Sequence, residues 1–380
     1  MNRFPGRLAV QQRVLPVYRA PFFDLLASAC DGGMSLFTGS PRPVESIVTT
    51  RELQIADYKL GRNIHLFAGS LYLCYQVGLL NWLKNWNPDA LIMEANARYL
   101  STPAAVKWMH GRGKPVIGWG LGAPSLTPSA LGTSPKIHFG FWGRLGGGRF
   151  RQMRRLSFLS QFDALVAYSQ RGADEYAALG FPRERIFVAH NSVSRAPTSA
   201  LDRRPLTTDR FTILCVGRLQ ARKRIDSLLK ACAQLELKPR LVIVGDGPER
   251  ERLESLAREI YPGAEFIGAK HGAELKPYFT EADLFVLPGT GGLAIQEAMS
   301  YGLPIIVAQG DGTQDDLVRK ENGWQTPPGN SDALVSTMKD ALSDVARLQR
   351  MGAESYRIVK EEINIEKMVE TFLSALNRLR

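Results

Sequence analysis

Apolar residues along this chain gather into short unbroken runs, and longer stretches with a three-to-four-residue apolar period lie between many of them. In the first half the runs are Leu8–Val10, Ser35–Thr38, Ile64–Phe67, Ala90–Met93, Val116–Trp119 and Ala164–Tyr168. In the second half they are Thr212–Val216, Leu241–Val244, Glu265–Ile267, Leu284–Leu287 and Ile305–Val307. Continuous rather than alternating apolarity predicts strands buried on both faces, as in parallel sheets. Helical periodicity predicts helices at Pro21–Ala29, Leu71–Asn85, Thr102–Arg112, Ile225–Leu235, Pro248–Ile260 and Leu293–Ser300, with a mostly helical end from Asp332 to Leu379. Strand–helix alternation on this scale is the pattern of an α/β protein.

The stretch 195–209, RAPTSALDRRPLTTD, has no apolar period and is rich in Pro, Ser, Thr and Arg, so it is expected to be a linker. The chain then divides into a first domain over 1–195, a linker over 196–209, a second domain over 210–355 and a terminal helix over 356–380. A length of 380 residues suits two α/β domains. Two such domains are expected to face a cleft, with ligands beyond the carboxyl ends of the strands.

Charge changes the picture of the first half. Residues 1–200 hold 23 Lys and Arg against 11 Asp and Glu, while residues 201–380 hold 25 against 26. A basic first half is expected to meet an anionic partner. The densest segment, 136–155 (KIHFGFWGRLGGGRFRQMRR), has six basic residues, no acid, and Phe139, Phe141, Trp142 and Phe150. That mixture suits an anionic membrane surface, and no nucleic-acid module accompanies it. No apolar run is long enough to span a bilayer, and the N-terminus lacks the apolar core of a signal peptide, so a cytoplasmic protein, peripheral on the membrane face, is expected. Cys30, Cys74, Cys215 and Cys232 are scattered and are expected to be reduced core residues.

Candidate chemistry lies in the second-half loops. Arg218 follows Gly217 at a strand end, and Lys223 stands five residues on, near a helix start. Two cations converging there suit a diphosphate, Arg by its fork and Lys as a point charge. Gly245 sits in the tight turn GDGP, and Gly268, Ala269 and Lys270 follow a strand where backbone could flank a base. In VLPGTGGLAIQEAMSYGLP (286–304), Gly289, Thr290, Gly291, Gly292 and Leu293 lead into a helix whose first carboxylate is Glu297. Glycines admit close backbone approach, helix amides favour an anion, and a carboxylate one turn on can accept both hydroxyls of a ribose.

The ordered series GRLQARKR, VGDGPERERLE, FIGAKHGAELKPYFTEADLFVLPG, GGLAIQEAMSYGLPII, GDGTQDDLV and NGWQTPPGNSDAL, over roughly 211–335, resembles the donor-binding domain of retaining family 4 glycosyltransferases. The resemblance implies the GT-B fold: two Rossmann-like domains facing a cleft, with the C-terminal helical segment packing back on the N-terminal domain. It implies that Arg218 and Lys223 hold the donor diphosphate and that Glu297 binds ribose. Gly217, Gly245, Gly268, Ala269 and residues 289–293 would line the donor site. It implies no metal and no cofactor, with a nucleoside diphosphate sugar as co-substrate and UDP favoured over GDP.

Two departures stand out. The family's first glutamate of a pair is replaced by Gly289, leaving Thr290, Asp311 and the 289–292 backbone to meet the sugar. Strand ends where the family often has histidine carry Glu94 and Leu121 instead. Glu94 and Asn96, with Arg98 on the same loop, and Tyr18 and Arg19 on the first strand-to-helix loop, are candidates for the acceptor. Glu94 is equally open to a capping or ion-pairing role, and Tyr18 to core packing. The expected activity is transfer of a hexose-type sugar to a hydroxyl of a glycan or lipid-linked acceptor. A nucleotide-sugar epimerase on the same fold and a non-catalytic sugar-nucleotide binder stay open beside it.

Overall fold

A computed structural model describes residues 2–45, 47–123, 147–199, 211–310 and 312–380. The chain forms two compact units, one of residues 1–190 with 365–380 and one of residues 191–364. The expected linker, from residue 200 on, and the basic aromatic segment, up to residue 146, lie outside the described residues, as does Asp311.

In the first unit the strands are β1 (Leu8–Gln11), β2 (Met34–Thr38), β3 (Asp57–Leu60), β4 (Arg62–Leu66), β5 (Leu73–Val77), β6 (Ala90–Glu94), β7 (Val116–Gly120), β8 (Ala164–Ala167) and β9 (Ile186–Val188). Its helices are α1 (Ala20–Ser28), α2 (Leu79–Trp86), α3 (Thr102–His110), α4 (Gly147–Leu159) and α5 (Gln170–Ala178). Seven strands make a parallel sheet in the order β3-β2-β1-β6-β7-β8-β9. The central strands are buried along their length, as their unbroken apolarity requires.

Two expectations need correction here. The run at Ile64–Phe67 is not a strand of the main sheet: β4 pairs antiparallel with β5 in a separate hairpin, Ile64 opposite Tyr75. The helix expected over Leu71–Asn85 starts only at Leu79, after Gly78 with φ 91°. Residues 73–77 alternate in burial with period two, so the apolar spacing that looked helical belongs to a strand exposed on one face.

The second unit continues with β10 (Thr212–Val216), β11 (Arg240–Val244), β12 (Ala264–Gly268), β13 (Leu284–Leu287), β14 (Ile305–Ala308) and β15 (Gly323–Thr326), in the order β12-β11-β10-β13-β14-β15, all parallel. Its helices are α6 (Ile225–Gln234), α7 (Arg250–Ile260), α8 (Lys276–Glu281), α9 (Leu293–Ser300), α10 (Thr313–Leu317), α11 (Ser331–Leu342) and α12 (Val345–Glu361). The last helix, α13 (Ile365–Arg378), returns to the first unit. There Phe372 packs between Phe22 of α1 and Trp119 of β7, with ring centroids 5.3 and 4.9 Å away. The segment expected to fold back is 356–380; only residues 365–380 belong to the first unit, and residues 356–361 are the end of α12 in the second. All four cysteines are buried and unpaired with one another.

Candidate functional site

The second unit's carboxyl strand ends are drawn together by backbone. Gly217 N–H donates to Val244 O, Leu219 N–H to Asp246 O, and Gly245 N–H to Gly268 O, at 2.8–3.0 Å. The loops after β10, β11 and β12 are thereby one hydrogen-bonded layer. Gly245 is required by this contact: its φ is 146°, and a Cβ there would stand 2.0 Å from Gly217 O. Its place is to let two loops touch, which leaves its expected part in donor binding to the backbone shape it creates. Gly268 and Ala269 lie on the same layer, Ala269 exposed.

Arg218 is exposed at the end of β10. Five residues on, one turn of 3-10 helix over Ala221–Lys223 closes with Arg224 in the left-handed region, φ 53°. That reversal turns Lys223 inward, where it is 6% exposed. Its Nζ donates to Thr290 O at 2.7 Å and to Gly291 O at 3.0 Å. A Cβ on Gly292, the residue before α9, would stand 3.4 Å from that Nζ. A lysine ammonium and the amide end of a helix thus converge. Both are positive, and an anion between them is stabilised by both.

The glycine loop is held from two sides. Thr290 N–H donates to Arg222 O at 3.0 Å, and Arg222 Nη1 donates to Thr290 Oγ1 at 3.0 Å. From beneath, buried Gln314 accepts the Gly291 N–H at 2.8 Å and donates Nε2 to Ala308 O at 2.8 Å. So the Gly291 amide, expected to serve an anion, already serves Gln314. Among the described residues no hydrogen bond occupies the Gly292 or Leu293 amide, and these two are the ones placed for it. Gly289 has no room for a side chain, because the Arg222 and Lys223 backbone lies against its α-carbon. The absent glutamate is therefore tied to the course of the basic loop.

Glu297 is half-buried on α9 one turn beyond Leu293. Burial pushes its carboxyl above the usual range, and no cation among the described residues is paired with it. Its neighbour Gln296 fixes α9, accepting from Val193 N–H at 2.7 Å and donating to Ile363 O at 2.7 Å. Gln296 and Gln314 were not singled out from sequence. An uncharged amide in an apolar period gives no signal until the backbone groups it serves are known.

In the first unit, Glu94 ends β6 and accepts the Arg13 N–H at 2.5 Å, while its own N–H donates to Gln11 Oε1 at 3.2 Å. Burial, offset in part by Arg13, pushes the Glu94 carboxyl up to about 7. Among the described residues it is neither a helix cap nor a member of an ion pair. The Arg13 guanidinium goes instead to Glu45 at 2.8 Å. Burial raises the Glu45 carboxyl, but hydrogen bonds from Arg13 and Arg42 outweigh it and hold the group down at about 2. Asn96 Oδ1 accepts Arg98 N–H at 3.1 Å and so braces its own loop. Tyr18 is half-exposed. Arg19, expected at the acceptor, is turned inward and buried, its guanidinium 5.5–5.7 Å from the rings of Tyr18, Trp119 and Tyr168. It stands immediately before α1, and in the core cation–π contacts with these rings replace part of its lost hydration. Leu121, beyond the end of β7, is exposed.

Similarity to known proteins is found at three levels: a family model, relatives and solved structures. Residues 200–358 match the family model described as glycosyl transferases group 1. The lipopolysaccharide core biosynthesis glycosyltransferase LpsE of Rhizobium meliloti is 26% identical over 307 residues, spanning 78% of this chain and 87% of that protein. A GDP-mannose-dependent alpha-mannosyltransferase of Mycobacterium tuberculosis is 30% identical over 263 residues, spanning 66% of this chain and 63% of that one, just under two thirds of its length. Among solved structures, Anabaena HepE in complex with UDP superposes with a TM-score of 0.68 at 16% identity, covering 100% of both chains. Sucrose-phosphate synthase from Thermosynechococcus elongatus gives 0.69 at 17% identity and 98% of both. These likenesses show the fold, which is GT-B.

Proposed function

We propose, from a second unit whose residues 200–358 match the family model of glycosyl transferases group 1, that this protein moves a hexose-type sugar from a nucleoside diphosphate to a hydroxyl of a glycan or glycolipid, with retention and without a metal. One observation carries the reading: the Lys223 ammonium stands at the amide end of α9, and a desolvated carboxyl, Glu297, follows one turn on. That is an anion site with a hydroxyl acceptor one helical turn beyond it, the two groups that a nucleoside diphosphate calls for.

In this proposal Arg218 and Lys223 neutralise the diphosphate as it leaves, and the Gly292 and Leu293 amides add fixed dipoles at the same oxygens. Because two cations and a helix end supply the positive charge, a divalent ion is not needed. The sugar meets Thr290 and the glycine loop rather than a glutamate. With retention, the leaving phosphate oxygen itself takes the acceptor proton. Glu94, its carboxyl at about 7, then orients the acceptor hydroxyl by accepting or donating a hydrogen bond. Tyr18, exposed on the first loop, is a second acceptor contact.

The names of the relatives support a glycan or lipopolysaccharide product, and HepE's complex with UDP supports the nucleotide class. UDP is placed ahead of GDP here. No helix among the described residues is long and apolar enough to cross a membrane. The test is incubation of the purified protein with labelled UDP- and GDP-hexoses, with and without a lipid-linked glycan. Label in the acceptor supports transfer. Conversion of the donor sugar alone would make it an epimerase, and binding without turnover a non-catalytic subunit.

A further inference from the structure

The β4–β5 hairpin of the first unit is built inside out. Its inner face carries polar side chains: Asn63 Nδ2 donates to Arg13 O at 2.8 Å, His65 Nδ1 meets Tyr72 OH at 2.9 Å, and Gln76 Nε2 donates to Gln12 O at 3.1 Å. Its outer face carries Ile64, Leu66, Tyr75 and Val77, all exposed. Antiparallel register sets Ile64 opposite Tyr75 and Arg62 opposite Val77, so these side chains form one continuous surface.

The tip extends it. Phe67 is 69% exposed and Leu71 72% exposed. Phe67 also sits in the left-handed region, φ 59°, which a bulky residue avoids unless the surroundings hold it there. Of the large apolar side chains standing exposed among the described residues, seven lie between 60 and 77, while the whole second unit shows one, Leu237. A patch of this kind marks an interaction site.

Charge identifies the occupant. From residue 58 to residue 88 there is no Asp or Glu, while Lys59, Arg62 and Lys84 are all present and exposed. At the base of the hairpin a groove of about 570 Å³ runs between Asp57, Lys59, Leu60, Val77 and Trp86. An apolar face with an aromatic tip, bordered by Lys59, Arg62 and Lys84 and with Asp57 at its base as the one acid lining the groove, matches the boundary between acyl chains and anionic headgroups. We infer that the outer face of the β4–β5 hairpin, with Phe67 and Leu71 leading, docks on a lipid bilayer bearing anionic headgroups. This surface shares no residue with the 136–155 segment, and it does not depend on the sugar-transfer reading.

The test is flotation of the full chain with vesicles of phosphatidylcholine containing about a quarter phosphatidylglycerol. Wild-type protein floats. A Phe67→Ser, Leu71→Ser pair lowers partitioning by roughly tenfold or more. A Lys59→Glu, Arg62→Glu pair lowers it by about fivefold per charge, more at low salt. Leu237→Ser floats as wild type, and all variants keep the wild-type melting temperature to within about 2 °C, since the changed side chains are solvent-facing. Equal flotation of wild type and the serine pair, equal flotation on phosphatidylcholine alone, or no flotation of wild type overturns the inference. So does a wild-type dimer that the serine pair converts to a monomer, because the face would then belong to a second copy.

Discussion

The carbonyl oxygen of Arg222 stands 2.2 Å from where a side chain on Gly289 would begin. The glycine and the basic loop are two halves of one contact, since the same oxygen accepts the Thr290 N–H. A side chain at 289 must push aside the turn that aims Lys223. Gly289→Glu is therefore expected to weaken UDP binding as well as fold stability. Overpacking of this kind costs about 1–3 kcal/mol. Calorimetric titration beside thermal unfolding checks it, and an affinity equal to wild type would contradict the contact.

Gln314 supports that loop from below. Gln314→Leu keeps the volume but leaves the Gly291 N–H and the Ala308 carbonyl without their partner. Each buried unsatisfied group costs about 1–3 kcal/mol. A lower melting temperature and a raised KM for donor are expected, with KM for acceptor unchanged. A change confined to the acceptor KM would place Gln314 elsewhere in the reaction.

Glu297 is expected to read the ribose hydroxyls. Wild-type protein should bind UDP more tightly than 2′-deoxy-UDP, and Glu297→Ala should remove most of that difference. A hydrogen bond to a charged group is worth about 1.5–3 kcal/mol, so a preference of roughly tenfold or more is at stake. If the alanine variant still discriminates as wild type does, the ribose is held by another group.

Glu94 carries a pH dependence of definite sign. Its folded carboxyl titrates at about 7, above the ordinary 4.5. The folded state keeps a proton that the unfolded chain has lost, so this group's penalty is absent below about pH 4.5 and grows as pH rises toward 7. Glu94→Gln retains an acceptor for the Arg13 N–H and removes the penalty. Relative to wild type it should gain on the order of 1–2 kcal/mol by about pH 8, after allowing for the group's partial exposure. The same variant should lose any inflection near pH 7 in acceptor-dependent turnover. Unfolding curves that stay parallel across this range would contradict the assignment.

Sequence carried the second unit further than the first. Val216, Val244 and Leu287 end apolar runs that are buried parallel strands in the structure, and the loops after them are the ones that converge. In the first unit the period of Leu73–Val77 misled, because a strand exposed on one face beside a helix shares apolar spacing with a longer helix. The short strands β3, β9 and β15 were not foreseen, since edge strands need less apolarity than central ones. Arg19 could not be placed from sequence either. Whether a basic residue beside a helix start points out or in is decided by Trp119, Tyr168 and Met368, which lie far away along the chain.

The central claim is that Arg218 and Lys223 hold a nucleoside diphosphate. It is tested most directly by calorimetric titration of UDP, in the presence of a chelator, into wild type, Arg218→Ala and Lys223→Met. Wild type should bind without metal, and each variant should bind roughly tenfold or more weakly, as the loss of a charge-assisted hydrogen bond requires. Binding of UDP by both variants with wild-type affinity would contradict the account, as would wild-type binding that appears only when a divalent ion is restored.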